Sequence, residues 1–173
     1  AGLAAGFLTQ NAGKRSIAID LKRPEGVALV LDMVVQADVF LENFRPGTAG
    51  RLGLDLATVQ ARNPSIVYAS LSAYGQDGPM GGRPAYDHVI QAVSGIMQLT
   101  GAPETLPNKV GAPYVDYATR MNGAFAVLSA LMEKDRTGKG QRVDVAMLDS
   151  ALLLMASHMT GAATSGSRTS APT

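Results

Sequence analysis

Short β-rich runs take turns with longer segments of helical periodicity, and this alternation constrains the fold more than any other feature of the sequence. Ser16–Asp20 alternates apolar and polar residues and is predicted to be a strand. Pro24 stands where a first helical residue belongs, since its missing N–H has no intrahelical partner there. Val27, Val30, Leu31 and Val34 follow at i, i+3, i+4 and i+7, the stripe of a helix lying on a sheet. Val39–Leu41 is a short apolar run of the kind buried in parallel sheets. Asp55 is placed to cap a helix carrying Leu56 and Val59, which Asn63-Pro64 ends. Ile66–Ser72 is the next β-rich run, followed by a loop over 73–85 with glycines at 75, 78, 81 and 82. Tyr86–Met97 reads as a helix and Thr100–Pro113 as irregular. Asp116 then opens the strongest helix, with Met121, Ala124, Phe125, Leu128, Leu131 and Met132 as its expected buried stripe and Gly138 as its stop. Arg142–Ala146 alternates as a strand, and Met147–Thr160 is a final helix. Strand, helix, strand in this order predicts an α/β fold with a mostly parallel, Rossmann-like sheet flanked by helices.

Composition narrows the function classes. The apolar fraction is 46% and the charged fraction 17%, as in ordinary globular proteins. A chain of 173 residues can hide roughly two-thirds of its unfolded surface in one domain. The net charge of +1 gives no global attraction for nucleic acid or an anionic membrane. No apolar run approaches the roughly 20 residues of a membrane span. The absence of cysteine excludes disulfides, thiolate metal sites and cysteine nucleophiles, and it fits an expected cytoplasmic location. Two widely spaced histidines, His88 and His158, argue against a metal site. His158 lies on an apolar helix and reads as a packed residue. No nucleophile elbow, P-loop or G-x-G-x-x-G is present. Ala1–Thr160 is expected to form part of a large α/β domain, with Gly161–Thr173 as a flexible, Gly/Ser/Thr-rich tail.

In open α/β sheets ligands gather beyond the carboxyl ends of the strands. Three clusters fall there: Lys22 and Arg23; Glu42-Asn43-Phe44-Arg45 with Arg51 a turn later; and the glycine-rich loop ending in Arg83 and Tyr86. They offer cations for phosphates and aromatic faces for a base, a set suited to an adenine nucleotide with several phosphates. Each also has a plain structural reading. Lys22 and Arg23 equally form a solvated helix start, Phe44 a core anchor, Asn43 a turn, and the loop a simple connection. Asp116 equally serves as a helix N-cap. A helix N-terminus also keeps a carboxylate ionised and available as a nucleophile.

The residues themselves carry a resemblance. Asn11 through Lys22, with Lys14-Arg15-Ser16-Ile17 and Pro24-Glu25-Gly26 behind it, resembles the N-x-x-K-R-S-I-x-x-D-x-K-x-P-E-G signature of class III CoA transferases of the CaiB/BaiF type. Ala37-Asp38-Val39 with Glu42-Asn43-Phe44-Arg45-Pro46-Gly47 is similar to that family's A-D-V-x-x-E-N-F-R-P-G segment. Asn63-Pro64, Tyr74-Gly75-Gln76, Gly78-Pro79, Tyr86-Asp87 and Arg136 through Gln141 recur in family order, up to about Thr160. Formyl-CoA transferase and carnitine CoA-transferase are members of this kind.

The resemblance implies the central part of a large CoA-transferase domain. It implies that Asp116 attacks a donor thioester and passes through an aspartyl anhydride and an aspartyl-CoA thioester. It implies CoA contacts at Ile19, Lys22, Asn43, Phe44, Arg51, Leu52 and Met147, with help from Arg83 and Tyr86. The CoA thioester is then a substrate, with no permanently bound cofactor and a small carboxylic acid as acceptor. The whole protein is expected to be an interlaced homodimer, with further domain parts before Ala1 and after Thr173. Arg120 departs from the small residue usual in the family. Two rivals share the pattern: an acyl-CoA racemase, in which a histidine stands at the position of Tyr86, and a non-catalytic CoA-binding fragment.

Overall fold

The computed structural model describes residue 2 and residues 4–166, and over these the chain forms three strands and eight α-helices. The strands are β1 (Val39–Glu42), β2 (Val67–Ser72) and β3 (Arg142–Ala146), paired in parallel in the order β1-β2-β3. The helices are α1 (Ala5–Gln10), α2 (Pro24–Val34), α3 (Thr48–Arg51), α4 (Leu56–Arg62), α5 (Asp87–Val93), α6 (Tyr114–Thr137), α7 (Met147–Leu154) and α8 (Ala156–Ser165). The α/β class expected from the alternation is therefore the observed one.

The pleat of β2 sorts the core into two layers. Val67 and Ala69 point to one face, where Val143, Val145 and Ala130 of α6 close over them. Ile66 and Tyr68 point to the other, against Val34 of α2 and Val59 of α4, with Phe40 stacked on Tyr68 at 5.2 Å between ring centroids. Successive side chains leave a strand on opposite faces, so one strand serves both layers. A third cluster, Ala73, Ile90, Ile96, Val115 and Ala151, ties α5, the start of α6 and α7 together beside the strand ends.

The local signals act as expected at several element ends. α2 starts on Pro24. Asp55 caps α4, accepting from the Thr58 N–H at 2.9 Å, and that bond is the main cause of its lowered pKa. Gly138 ends α6 with φ +72°. No helix among the described residues is long and apolar enough to cross a membrane.

Several local expectations fail. Ser16–Asp20 is irregular and not a strand, because among the described residues no neighbouring strand pairs with it, and Ile17 is exposed. Lys22 thus lies in a turn, and Arg23 at the bend before α2, rather than after a strand end. Most of the stripe expected to bury on α6 faces outward instead: Met121 and Phe125 are each 74% exposed, and Leu128 and Met132 are similar, while Leu131 packs against the core. The face on the sheet carries small residues, Gly123 and Ala130, which let the helix approach so closely that a Cβ at 123 would touch Leu71 at 3.4 Å. His158 is exposed on α8. The single helix expected over 147–160 is broken at Met155 into α7 and α8. The expected boundary at residue 160 falls inside α8, and 167–173 lie outside the described residues.

Candidate active site

The three parallel strands end at one edge of the sheet, and a cleft of about 390 Å³ lies over that edge. Asn43–Pro46, which leave β1, form one wall. Ser72 and Ala73, at the end of β2, form the floor together with Met147, the first residue after β3. Arg83–Tyr86, at the far end of the glycine-rich loop, form the opposite wall, and Asp116 enters from the first turn of α6.

Each wall has its own support. The Asn43 amide donates to the Leu71 carbonyl at 2.7 Å, fastening the chain after β1 to the end of β2. The buried Glu42 carboxylate accepts from the Phe44 N–H at 2.7 Å and fixes the bend there. The glycine-rich loop is pinned to β3 near its start: Asp144 accepts from the Gln76 N–H at 3.0 Å, and Arg142 bridges Asp77 and Asp144 at 3.0 and 3.1 Å. Gly75 and Gly78 take φ +83° and +96°, conformations that side chains resist, so the loop can fold back within hydrogen-bonding reach of the strand. Arg45 also lines a smaller hollow of about 200 Å³ with Gln76, Tyr68 and Arg142.

Asp116 is the third residue of α6, not its N-cap; Pro113 precedes the helix and offers no capping side chain. The Asp87 carboxylate of α5 takes that role, accepting from the N–H groups of Val115 at 2.8 Å and Asp116 at 3.0 Å. Sequence reading missed Asp87 as a functional residue, noting it only as one half of a matching dipeptide. Burial pushes the Asp116 pKa up, the Asp87 charge adds to the rise, and Arg120 opposes it. The helix N-terminus was expected to favour the ionised form; partial burial and a neighbouring carboxylate outweigh it. Arg120 lies over the Tyr117 ring at 5.3 Å.

Of the residues anticipated for CoA, the cleft gathers Asn43, Phe44, Arg83, Tyr86 and Met147 around Asp116. Ile19, Lys22, Arg51 and Leu52 do not line it. Ile19 and Asp20 lie against the first turn of α2, where Gly26 admits them: a Cβ on Gly26 would sit 2.1 Å from the Asp20 carbonyl oxygen. The Arg51 guanidinium donates to the Thr48 hydroxyl at 2.7 Å. Tyr86 is 73% exposed and stacks on His88, presenting a free aromatic face. Ser72 is a second residue that the sequence did not single out: its buried hydroxyl lines the cleft without a hydrogen-bond partner in the fold. No group of three or more His, Cys, Asp or Glu among the described residues is arranged to hold a metal.

Parallel strands ending in a cleft lined by guanidinium groups, an exposed aromatic face and a partly buried carboxylate define an α/β protein with a polar strand-end cleft. The chain belongs to CoA-transferase family III, which matches residues 1–172. It is 41% identical over 146 residues to a succinate–glutarate CoA-transferase of Agrobacterium fabrum, covering 84% of this chain and 36% of that protein. It is 43% identical over 152 residues to an acetyl-CoA:oxalate CoA-transferase of Acetobacter aceti, covering 86% and 39%. A CAIB/BAIF family protein from Brucella suis superposes with a TM-score of 0.89 at 39% identity, over 93% of this chain and 43% of that one. The chain therefore spans about two-fifths of the length of the relatives it matches.

Proposed function

We propose that the whole protein moves CoA from an acyl-CoA thioester to a carboxylic acid, with Asp116 as the nucleophile. The observation that carries this reading is the Asp116 carboxylate, partly desolvated, basic for its type, and opening into the strand-end cleft beside Asn43, Arg83 and Met147. A partly desolvated carboxylate is a stronger nucleophile than one in water. In the proposed sequence an Asp116 oxygen attacks the donor thioester carbonyl, and the C–S bond breaks to give a mixed anhydride and CoA thiolate. The thiolate then attacks the aspartyl carbonyl, the anhydride C–O bond breaks, and the donor acid leaves as its carboxylate. An acceptor carboxylate repeats the two steps in reverse, regenerating Asp116 and releasing the new acyl-CoA. No net proton is consumed.

Arg83, Arg45 and the exposed face of Tyr86 suit the phosphates and adenine of CoA. In this reading Lys22, Ile19, Arg51 and Leu52 form an outer part of the CoA site beyond the cleft. The reading also takes the whole protein to be a homodimer. The outward apolar face of α6 supports burial against further protein, since exposed stripes of this kind mark interaction surfaces.

The test is Asp116→Asn in the full-length protein. Transfer should be lost while CoA binding stays within a few-fold, and hydroxylamine should trap an acyl modification at Asp116 in the wild type only. Stability should not fall. A carboxyl whose pKa is raised on folding contributes stability below its unfolded pKa and loses it as pH rises through the folded value, so a neutral Asn removes a cost at pH 7. Near-normal transfer by the Asn variant would return Asp116 to a purely structural role.

A further inference from the structure

The first turn of any α-helix leaves backbone N–H groups without intrahelical partners, and α6 has no capping side chain of its own. Its acceptor comes from 29 residues earlier. Oδ2 of Asp87 takes the N–H of Val115 and that of Asp116, the residue whose side chain enters the cleft. Oδ1 of Asp87 in turn accepts from the side-chain amide of Gln91, one turn further along α5. Gln91 is fully buried, and its own carbonyl oxygen accepts from the Val110 N–H at 2.8 Å. The connection after α5, α5 itself and the start of α6 are thus joined through one carboxylate.

Resting on the reading of Asp116 as the nucleophile, we propose that Asp87 is a positioning residue for it: held by Gln91, the Asp87 carboxylate caps α6 and fixes where the Asp116 carboxylate stands over the cleft. The arrangement suits the chemistry in two ways. Two bonds to successive amides, one of them that of Asp116, determine the origin of its side chain, and misplacement of a reacting group by about 1 Å can cost about a hundredfold in rate. Asp87 also brings a charge. Facing the pair are Arg120 from α6, Arg83 and Arg45 from the cleft walls, and His88 and Lys109, which border a hollow beside Asp87. Of the charges acting on Asp116, Asp87 makes it more basic and Arg120 less so, with burial as the larger cause of the rise. The Asp87 carboxylate is itself favoured at the positive end of the α6 dipole.

The experiment uses the full-length protein and compares Asp87→Asn, Asp87→Glu and Asp116→Asn with the wild type. Asp87→Asn keeps an oxygen for the two amides but loses the charge, and it sets one NH2 group against that of Gln91. Its kcat should fall roughly ten- to a hundredfold with KM for acyl-CoA within about threefold. The acid limb of its kcat–pH profile should move to lower pH, a readout that a merely structural cap would not shift. Asp87→Glu keeps the charge but displaces it, so kcat should fall while the limb stays. Melting temperature and CoA binding establish that each variant is folded, and Asp87→Ser, which also removes the charge and can cap a helix, supplies the limb reading if Asp87→Asn does not fold. Wild-type kcat in the folded variants, or a loss expressed only in KM, overturns the positioning role. If Asp116→Asn transfers CoA at near-wild-type rate, the nucleophile reading itself fails. If Asp116→Asn is inactive and Asp87→Asn keeps both rate and limb, only the role of Asp87 fails.

Discussion

The turn joining α6 to β3 contains two glycines that are glycine for different reasons, and substitution separates those reasons. Gly138 has φ +72°, its N–H donates to the Lys134 carbonyl at 2.7 Å, and a Cβ added there meets nothing within 4 Å. Its constraint is conformational. Gly140 has no such dihedral, but a Cβ on it would lie 2.0 Å from the Ile66 carbonyl oxygen, 2.6 Å from the Ser65 carbonyl carbon and 2.7 Å from that of Ile66. These are backbone atoms at the entry to β2 and cannot rotate aside. Restoring ordinary contact at 3.4 Å means parting the turn from β2 by about 1.4 Å. The Gly140 N–H bond to the Pro64 carbonyl at 3.2 Å would not survive, nor would the Tyr68 N–H bond to the Gln141 carbonyl at 2.9 Å, which starts the β2–β3 ladder. At about 1 kcal/mol net for each bond, with about 1–3 kcal/mol for forced overpacking, Gly140→Ala should cost about 3–5 kcal/mol.

Gly138→Ala should cost only the left-handed penalty, about 1–2 kcal/mol, and Gly138→Asn less, since asparagine tolerates that conformation. Urea denaturation of the intact protein, followed by far-ultraviolet circular dichroism, should therefore rank wild type, Gly138→Asn, Gly138→Ala and Gly140→Ala in falling order of midpoint. A Gly140→Ala protein as stable as Gly138→Ala would show that the turn is free to move and that the steric reasoning is wrong.

Tyr68→Phe removes a hydroxyl that donates to the Leu54 carbonyl at 2.9 Å inside the core, and should cost about 1–2 kcal/mol. Burial first, then the charges of Glu42 and Asp55, push the Tyr68 pKa up to about 12 from 10.0, so its contribution is intact below pH 10 and lost as pH rises toward 12. The stability gap to the Phe variant should close over that window; a constant gap counts against the assignment. Asn63 donates to the Val34 and Ala37 carbonyls at 3.0 and 2.9 Å and accepts from the Ser65 N–H and hydroxyl at 3.1 and 2.8 Å. Asn63→Ala should destabilise by about 2–4 kcal/mol, and a loss below about 1 kcal/mol in the same assay would refute its role as a joint between α2, α4 and β2.

What could be read in the sequence was local. Pro24, Asp55 and Gly138 act within a turn of themselves, and β3 alternates over its whole length, so these elements stand where the sequence placed them. What failed needed a partner. Ser16–Asp20 has a strand's pattern, but a strand exists only against a neighbour. On α6 both faces are apolar, and periodicity cannot say that the smaller residues, rather than Phe125 and Met121, meet the sheet. Asp116 looked like its own cap because the acceptor that serves α6 lies 29 residues away. A signal for Asp87 was present in the i, i+4 spacing of Asp87 and Gln91 on a helix, which is the geometry of a supported side chain. The strand-end clusters at 43–45 and 83–86 were legible because parallel pairing brings every carboxyl end to one edge. Ile19 and Leu52 came from resemblance alone, and Lys22 and Arg51 also from their expected place after a strand; the cleft includes none of the four.

The division of labour within the fold follows from the topology. The sheet and the α2–α4 layer carry the rigid part, since β2 is buried on both faces and its ladder fixes the positions of its neighbours. Everything that gives the cleft its carboxylate lies in the crossover between β2 and β3: the glycine-rich loop, α5 with Asp87 and Gln91, and the first turn of α6 with Asp116. Asp144 and Arg142 of β3 hold the start of that crossover, and the Ala73 carbonyl accepts from Leu148 at 3.0 Å where α7 departs. The start of the crossover is thus tied to β3 and α7, and its middle packs through Ile90 and Val115 against Ala73 and Ala151 while Asp87 joins α5 to α6 within it. Changes at Asp87, Arg120 or Ser72 can therefore retune the carboxylate or the space before it without disturbing the strand register that builds the cleft.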